Sequence, residues 1–143
     1  MVIAPASRQR WTRSDSLELG AYPGAVSSAR LHTRAVLTEW RLGCLADALE
    51  SVVAELVANA VEAHRRERLD QAVRLTILAD SESVLVVVRD SSTGRPVRNE
   101  PDFEAESGRG LLIVESIAEW WDWKPVRPNG KIVRSLIKGE DHA

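Results

Sequence analysis

The sequence predicts one domain of the α/β (α+β) class, a two-layer sandwich in which a mixed or antiparallel β-sheet carries helices packed on one face. Residues 45–66 repeat apolar side chains with the period of a helix, and residues 71–89 repeat them with the period of two that strands show. The elements follow one another as strand, helix, helix, two strands, long loop, helix, strand, an order typical of this architecture. We place the domain at residues 15–138, between a disordered N-terminal arm at 1–14 and a tail at 139–143.

The first strand is predicted at residues 16–21, where a Tyr-Pro-Gly turn signature ends it. Ser27 or Ser28 is suited to cap the helix that follows, which extends to about Trp40 with an apolar stripe on one side. Gly43 then breaks this helix, because glycine is a poor residue for a helix interior.

The remaining elements follow from changes of period along the chain. The helix at residues 45–66 has the strongest periodic signal, and the two strands within residues 71–89 include a run apolar enough for the centre of a sheet. Residues 90–110 form a loop of about twenty residues, a length that compact domains rarely keep without a function for it. A third helix is predicted from Leu111 to about Trp120, opened directly by a glycine pair, and a last strand at residues 131–137.

Composition excludes several classes of protein. The net charge of -2 gives no electrostatic footprint for nucleic acid. The single cysteine, Cys44, excludes an internal disulfide and a multi-thiolate metal site, and we expect its side chain to be buried. No apolar run is long enough to span a membrane and no secretory signal is present, so we expect a cytoplasmic, bacterial-type protein.

A carboxylate and a carboxamide lie one helical turn apart on the second helix, at Glu55 and Asn59. The amide oxygen of Asn59 is suited to ligate a Mg²⁺ that also holds phosphates. The carboxylate of Glu55 is suited to orient or deprotonate a nucleophile. Two solvated polar side chains at a helix edge are the alternative.

Two further features lie in and beside the long loop. Asp90 ends an apolar strand, where ligand contacts concentrate in α/β folds, although its carboxylate could instead cap the turn that follows. Gly108 and Gly110 precede Leu111 at the predicted start of the third helix. Backbone N–H groups at such a position can approach an anion, although an ordinary helix start has the same pattern.

The order and spacing of these motifs resemble the GHKL (Bergerat-type) ATP-binding superfamily. Glu55-x-x-x-Asn59-Ala60 matches the N box of that family, Asp90-x-x-x-Gly94 matches its first glycine box, and Gly108-Arg109-Gly110-Leu111 matches its second. The similarity extends over about residues 17–137. The small size and the short lid resemble the anti-sigma-factor serine kinase branch most.

The resemblance implies a Bergerat fold with ATP and Mg²⁺ as ligands. By position, Glu55 is the general base, Asn59 is the Mg²⁺ ligand and Asp90 binds the adenine amine. The ATP site would also include Gly94 and the backbone of the second glycine box, Gly108, Arg109, Gly110 and Leu111, with residues 94–107 as a lid. In that branch the kinase phosphorylates a serine on an anti-anti-sigma (STAS-type) protein and otherwise sequesters a sigma factor.

Two departures from the family pattern favour an alternative, a non-catalytic nucleotide-binding or nucleotide-free interaction module of the same fold. Ser92 stands where the first glycine box usually has glycine, and Ile132 is assigned to a last-strand position that commonly holds threonine near the phosphates. If the family glycine adopts a positive φ, serine costs about 1 kcal/mol there. Whether the chain forms a homodimer stays open.

Aromatic and basic side chains offer partner contacts besides the site. Trp120, Trp121 and Trp123 follow the third helix, and we expect at least one of them to be exposed as an interface anchor, or all to pack against Trp40 and the sheet edge. Arg95 and Arg98 in the loop either reach phosphates or an acidic partner, or are simply solvated.

Overall fold

The computed structural model describes residues 11–94 and 105–139, with the side chains of residues 105–110 excepted. Within these described residues lie five strands and three helices. Their bounds are β1 Arg13–Leu19, α1 Gly24–Glu39, α2 Ala46–Glu67, β2 Val73–Ala79, β3 Ser83–Asp90, α3 Ala105–Ile117, β4 Trp120–Pro125 and β5 Lys131–Lys138, with a 3₁₀ turn at Gly43–Leu45 between α1 and α2.

The strands form one sheet in the order β1-β2-β3-β5-β4, and every neighbouring pair is antiparallel. The second helix, α2, packs on the three central strands, and α1 and α3 flank it on the same side. The predicted two-layer α+β sandwich with helices on one face is therefore confirmed. The register pairs Asp90 at the end of β3 with Lys131 at the start of β5.

The core lies between α2 and the sheet. Apolar side chains recur on α2 at the spacing of one helical face, and those at Leu49, Val52, Val53 and Val57 are fully buried. On β2 the buried and more exposed side chains alternate, as a strand with one covered face requires. Burial of this stripe fixes how α2 is rotated on the sheet, and hence where its polar edge lies.

Several predicted boundaries are wrong. Strand β1 begins at Arg13, two residues before the predicted start of the domain at residue 15, and residues 1–10 of the predicted N-terminal arm lie outside the described part of the chain. Helix α1 begins at Gly24 with Pro23 as its N-cap and no side-chain cap, so neither Ser27 nor Ser28 has the predicted capping role. Proline is suited to a helix start, since its fixed φ matches the helix and its missing N–H would be unpaired there.

Strand β4 was not predicted, and it accounts for the three neighbouring tryptophans. The run alternates across the sheet: Trp121 is buried on the helix side, and Trp123 is half-buried against the core. Trp120 is half-buried on the opposite face, where the guanidinium of Arg134 lies 5.3 Å from its ring centre. All five tryptophans are within the described residues and none is exposed, so the prediction of an exposed tryptophan anchor is wrong.

Two smaller predictions also fail. Helix α3 begins at Ala105, six residues before the predicted start, so the glycine pair lies inside the helix and does not open it. Cys44 is exposed at the 3₁₀ turn, not buried. Among the described residues, no helix has the length and apolar character needed to cross a membrane.

Candidate functional site

A small pocket lies between α2, the first described side chain of α3, and the facing ends of β3 and β5. Its free volume is about 10 Å³, which is room for about one water molecule. It is lined by Leu56, Asn59, Ala60, Val88, Asp90, Leu111, Lys131 and Val133. Three of the predicted ATP-binding residues, Asn59, Asp90 and Leu111, thus line one pocket although they are far apart in the sequence.

Helix α2 supplies the polar edge of this pocket. Asn59 follows Leu56 by less than one turn, so burial of the apolar stripe places the carboxamide at the pocket wall. Its side chain is half-buried and forms no hydrogen bond with the described part of the chain. The amide oxygen is therefore free to act as a ligand.

Glu55 lies one turn before Asn59 on the same helix and is also half-buried. It does not line the small pocket, and it forms neither an ion pair nor a hydrogen bond with described residues. Burial raises the pKa of the Glu55 carboxyl, because the charged form loses solvation without gaining a partner. A raised pKa makes a carboxylate a better proton acceptor once it is ionised.

Asp90 is buried and bonded on both carboxylate oxygens. Its Oδ1 accepts from the backbone N–H of Ser92 at 2.8 Å and from the Ser92 hydroxyl at 2.6 Å. Its Oδ2 pairs with the Lys131 ammonium at 2.8 Å. Lys131 also donates to the Ser92 hydroxyl oxygen at 2.6 Å, so the three side chains form one closed network. The network is buried, since Asp90 is 3%, Lys131 4% and Ser92 0% exposed. The Asp90–Lys131 ion pair therefore lies inside the protein.

Lys131 is a site residue that the sequence analysis missed. The antiparallel register sets Lys131 directly opposite Asp90, whereas Ile132 pairs with Arg89 and lies on the other face of the sheet. The assignment of Ile132 to a position near the phosphates is therefore wrong. The available signal was a lysine at the first position of a predicted strand, but the pairing of β5 with β3 is needed to interpret it.

Ser92 does not have the strained backbone that a serine at a glycine-box position could have. Among described residues other than glycine, only Arg41 and Arg68 have a positive φ, so the serine carries no backbone strain of that kind. Its hydroxyl instead joins the Asp90 and Lys131 side chains. The Asp90 carboxylate does cap the turn after β3 through the Ser92 N–H, which was the alternative interpretation of this residue.

Two side chains of α2 hold the segment after Asp90 in place. His64 is fully buried; its Nδ1 lies 3.0 Å from the Gln71 carbonyl oxygen, and its Nε2 accepts from the Ser91 N–H at 2.9 Å. The carboxylate of Glu67 accepts from the Thr93 N–H and hydroxyl. The helix that carries Asn59 therefore also positions the loop that carries Ser92.

Two glycines adopt backbone conformations that side chains disfavour. Gly94 has φ +90° at the end of the described loop, in open space. Gly130 has φ +123°, and a Cβ there would lie 2.4 Å from the Asp90 carbonyl oxygen. Gly130 thus allows the turn before β5 to approach Asp90 closely, which brings Lys131 to the pocket.

The second glycine box lies within α3, where Gly108, Arg109 and Gly110 occupy its first two turns. Leu111 is buried at the pocket, so the end of this motif does reach the site. Most of the predicted lid, with Arg95 and Arg98, lies outside the described residues.

Asn59 and Asp90 differ in how readily they could bind a magnesium nucleotide. No group of three or more His, Cys, Asp or Glu residues could hold a metal by itself within the described ranges 11–94 and 105–139. Asn59 could supply one oxygen to a Mg²⁺ held mainly by phosphates, which is how Mg²⁺ usually binds. At the other end, Asp90 could accept from an amine only after its partners rearrange, because both of its carboxylate oxygens are already bonded.

Comparisons with known proteins concern the family and the fold of the chain. The family model described as a histidine kinase-like ATPase domain matches residues 19–136. Among solved structures, the chain is similar to a chain of the SiaB-SiaC complex from Pseudomonas aeruginosa, with a TM-score of 0.62, 12% sequence identity and 91% of each chain covered. At that identity the likeness shows the fold. Among curated proteins, no sequence match is found.

Proposed function

Because the chain belongs to the family of histidine kinase-like ATPase domains, we propose that it binds Mg²⁺-ATP between α2, α3 and the β3–β5 edge. The observation that carries the proposal is the pocket lined by Asn59 and Asp90, the two residues that the family motifs single out. Asn59 would ligate Mg²⁺, and Asp90 would accept from the adenine amine. Gly94, Gly108, Arg109, Gly110 and Leu111 complete the proposed ATP site.

The activity we propose is that of an anti-sigma-factor-like protein serine kinase. Glu55 would take the proton of a partner's serine hydroxyl while the serine oxygen forms a bond to the γ-phosphorus of ATP. The bond between the γ-phosphorus and the oxygen that bridges to the β-phosphate would break, and ADP would leave. Two features of Glu55 support this role: its carboxylate has no partner among described residues, and its pKa is raised by burial. The Mg²⁺ would neutralise charge on the phosphates.

The partner we propose is an anti-anti-sigma protein of the STAS type, a sigma factor, or both in turn. The structural similarity to a chain of the SiaB-SiaC complex supports a fold that assembles with another protein, although that assembly is a property of the neighbour. A regulator of this kind acts in the cytoplasm, so the predicted location belongs to the same proposal.

Phosphate transfer tests the kinase proposal directly. Partner proteins captured from the native cell by the wild-type chain would be incubated with γ-labelled ATP. We expect label on a partner serine with wild type, its loss with Glu55→Gln, and full transfer with Glu62→Gln, which removes an exposed carboxylate from the same helix. Unchanged transfer by Glu55→Gln would show that Glu55 is not the base.

The second candidate is a non-catalytic interaction module of the same fold. The observation that favours it is the closed network of Asp90, Ser92 and Lys131, since a carboxylate bonded on both oxygens is not free to select adenine. Partner capture without labelling, and without measurable binding of Mg²⁺-ATP at millimolar concentration, would favour this candidate over the kinase.

A further inference from the structure

The Lys131 ammonium occupies the base end of the proposed nucleotide pocket. Its Nζ lies 2.8 Å from Asp90 Oδ2 and donates to the Ser92 hydroxyl oxygen at 2.6 Å. Its side chain is 5% exposed and lines the same small pocket as Asn59 and Asp90. The free volume that remains is about 10 Å³, well below what a purine ring requires.

We propose that Lys131 is an internal competitor for the base site: it must leave Asp90 before a purine amine can bind there, and it thereby lowers the affinity for nucleotide. This inference rests on the proposed function, since it concerns the same site. Its basis is that the side chains of Lys131 and Ser92 both bond the Asp90 carboxylate, Lys131 at Oδ2 and Ser92 at Oδ1.

The competition follows from the bonding capacity of the carboxylate. Asp90 Oδ1 already accepts two hydrogen bonds from Ser92, so an incoming amine can reach only Oδ2, where Lys131 lies. A buried ion pair is costly to break because each charge is left without its partner. If the pocket accepts a base only when Lys131 has moved, the apparent dissociation constant rises by the inverse of the fraction of molecules in that state.

The network also couples Ser92 to Lys131. A buried lysine needs acceptors for its N–H groups, and the Ser92 hydroxyl supplies one that glycine could not. Ser92 in turn donates to Asp90. Lys131 and Ser92 therefore both stabilise the arrangement in which Asp90 is fully bonded. Removing either side chain weakens the hold of the other on Asp90.

Calorimetric titration of Mg²⁺-ATP into variants of the whole chain tests this inference. We expect Lys131→Thr to bind between about tenfold and a thousandfold more tightly than wild type, because it frees Oδ2 and shortens the side chain in the pocket. Ser92→Gly should bind more tightly by a smaller factor. Lys138→Thr, which removes an exposed lysine from the same strand, should leave the affinity unchanged.

The outcomes separate the two proposals. If wild type binds Mg²⁺-ATP and Lys131→Thr binds equally or less well, Lys131 is not a competitor, while the proposed nucleotide site stands. If Lys131→Thr does not fold, Ser92→Gly decides the matter, and an unchanged or weaker affinity overturns the inference. If none of the four proteins binds Mg²⁺-ATP, the proposed function and this inference both fall.

Discussion

Replacing His64 by alanine should destabilise the domain strongly, because the imidazole joins α2 to two backbone segments from a fully buried position. The Gln71 carbonyl lies 3.0 Å from Nδ1, and the Ser91 N–H donates to Nε2 at 2.9 Å. A buried group left without its hydrogen bond costs about 1–3 kcal/mol, and the removed ring leaves a cavity. We therefore expect a loss of about 3–5 kcal/mol, a large part of the 5–15 kcal/mol typical of a domain.

Urea unfolding followed by circular dichroism measures this loss. The Gln variant is the matched control, since a glutamine side chain can keep an acceptor near the position of Nε2 for the Ser91 N–H. His64→Gln should retain about half of the stability that His64→Ala loses. A loss of less than about 1 kcal/mol for His64→Ala would refute the reasoning, because it would show that the two bonds contribute little or that the backbone readily finds other partners.

Three further changes probe the backbone, the carboxylate and the core. Gly130→Ala should cost about 2 kcal/mol or more in urea unfolding, since φ is +123° and the new Cβ would lie 2.4 Å from the Asp90 carbonyl oxygen, whereas Gly43→Ala, in open space, should stay within about 0.5 kcal/mol. Burial raises the pKa of Glu55 above its unfolded value, so its contribution to stability is present at low pH and is lost as the pH rises through the folded pKa. Glu55→Gln lacks that loss, and its unfolding free energy relative to wild type should increase between pH 4 and pH 7; a flat or falling difference would contradict this sign. Leu49→Ala, at a position with 0% exposure, should cost about 2–5 kcal/mol, and a cost below 1 kcal/mol would mean that α2 does not pack as described.

Much of the helical layer could be predicted from the sequence because local periodicity determines it. The predicted α2 differs from the observed Ala46–Glu67 by one residue at each end, since its apolar stripe is long and regular. The sequence analysis does not predict strand β4, although the alternation of Trp121 and Trp123 with Asp122 has the period of a strand. Four residues are too few to distinguish a strand from a cluster of aromatic side chains after a helix. The early start of α3 is not predictable from the glycine pair, because glycine disfavours a helix interior and so indicates a boundary.

Part of the site was predictable because its motifs have a characteristic order and spacing along the chain. Asn59 and Asp90 could be identified from motif spacing, and the structure brings both to one pocket. Lys131 could not, since its place beside Asp90 depends on the pairing of β3 with β5, and these strands are separated by some forty residues with a helix between them. A register shift by one residue would have placed Ile132 there instead.

Calorimetric titration of Mg²⁺-ATP into the wild-type chain and into Asn59→Ala tests the central claim most directly. The account predicts saturable binding to wild type at or below millimolar ATP and at least about tenfold weaker binding to Asn59→Ala. Glu62→Ala, which changes an exposed position on the same helix, should bind as wild type does. Absence of binding to wild type and to Lys131→Thr alike, or equal binding to wild type and Asn59→Ala, would contradict a nucleotide site at this pocket.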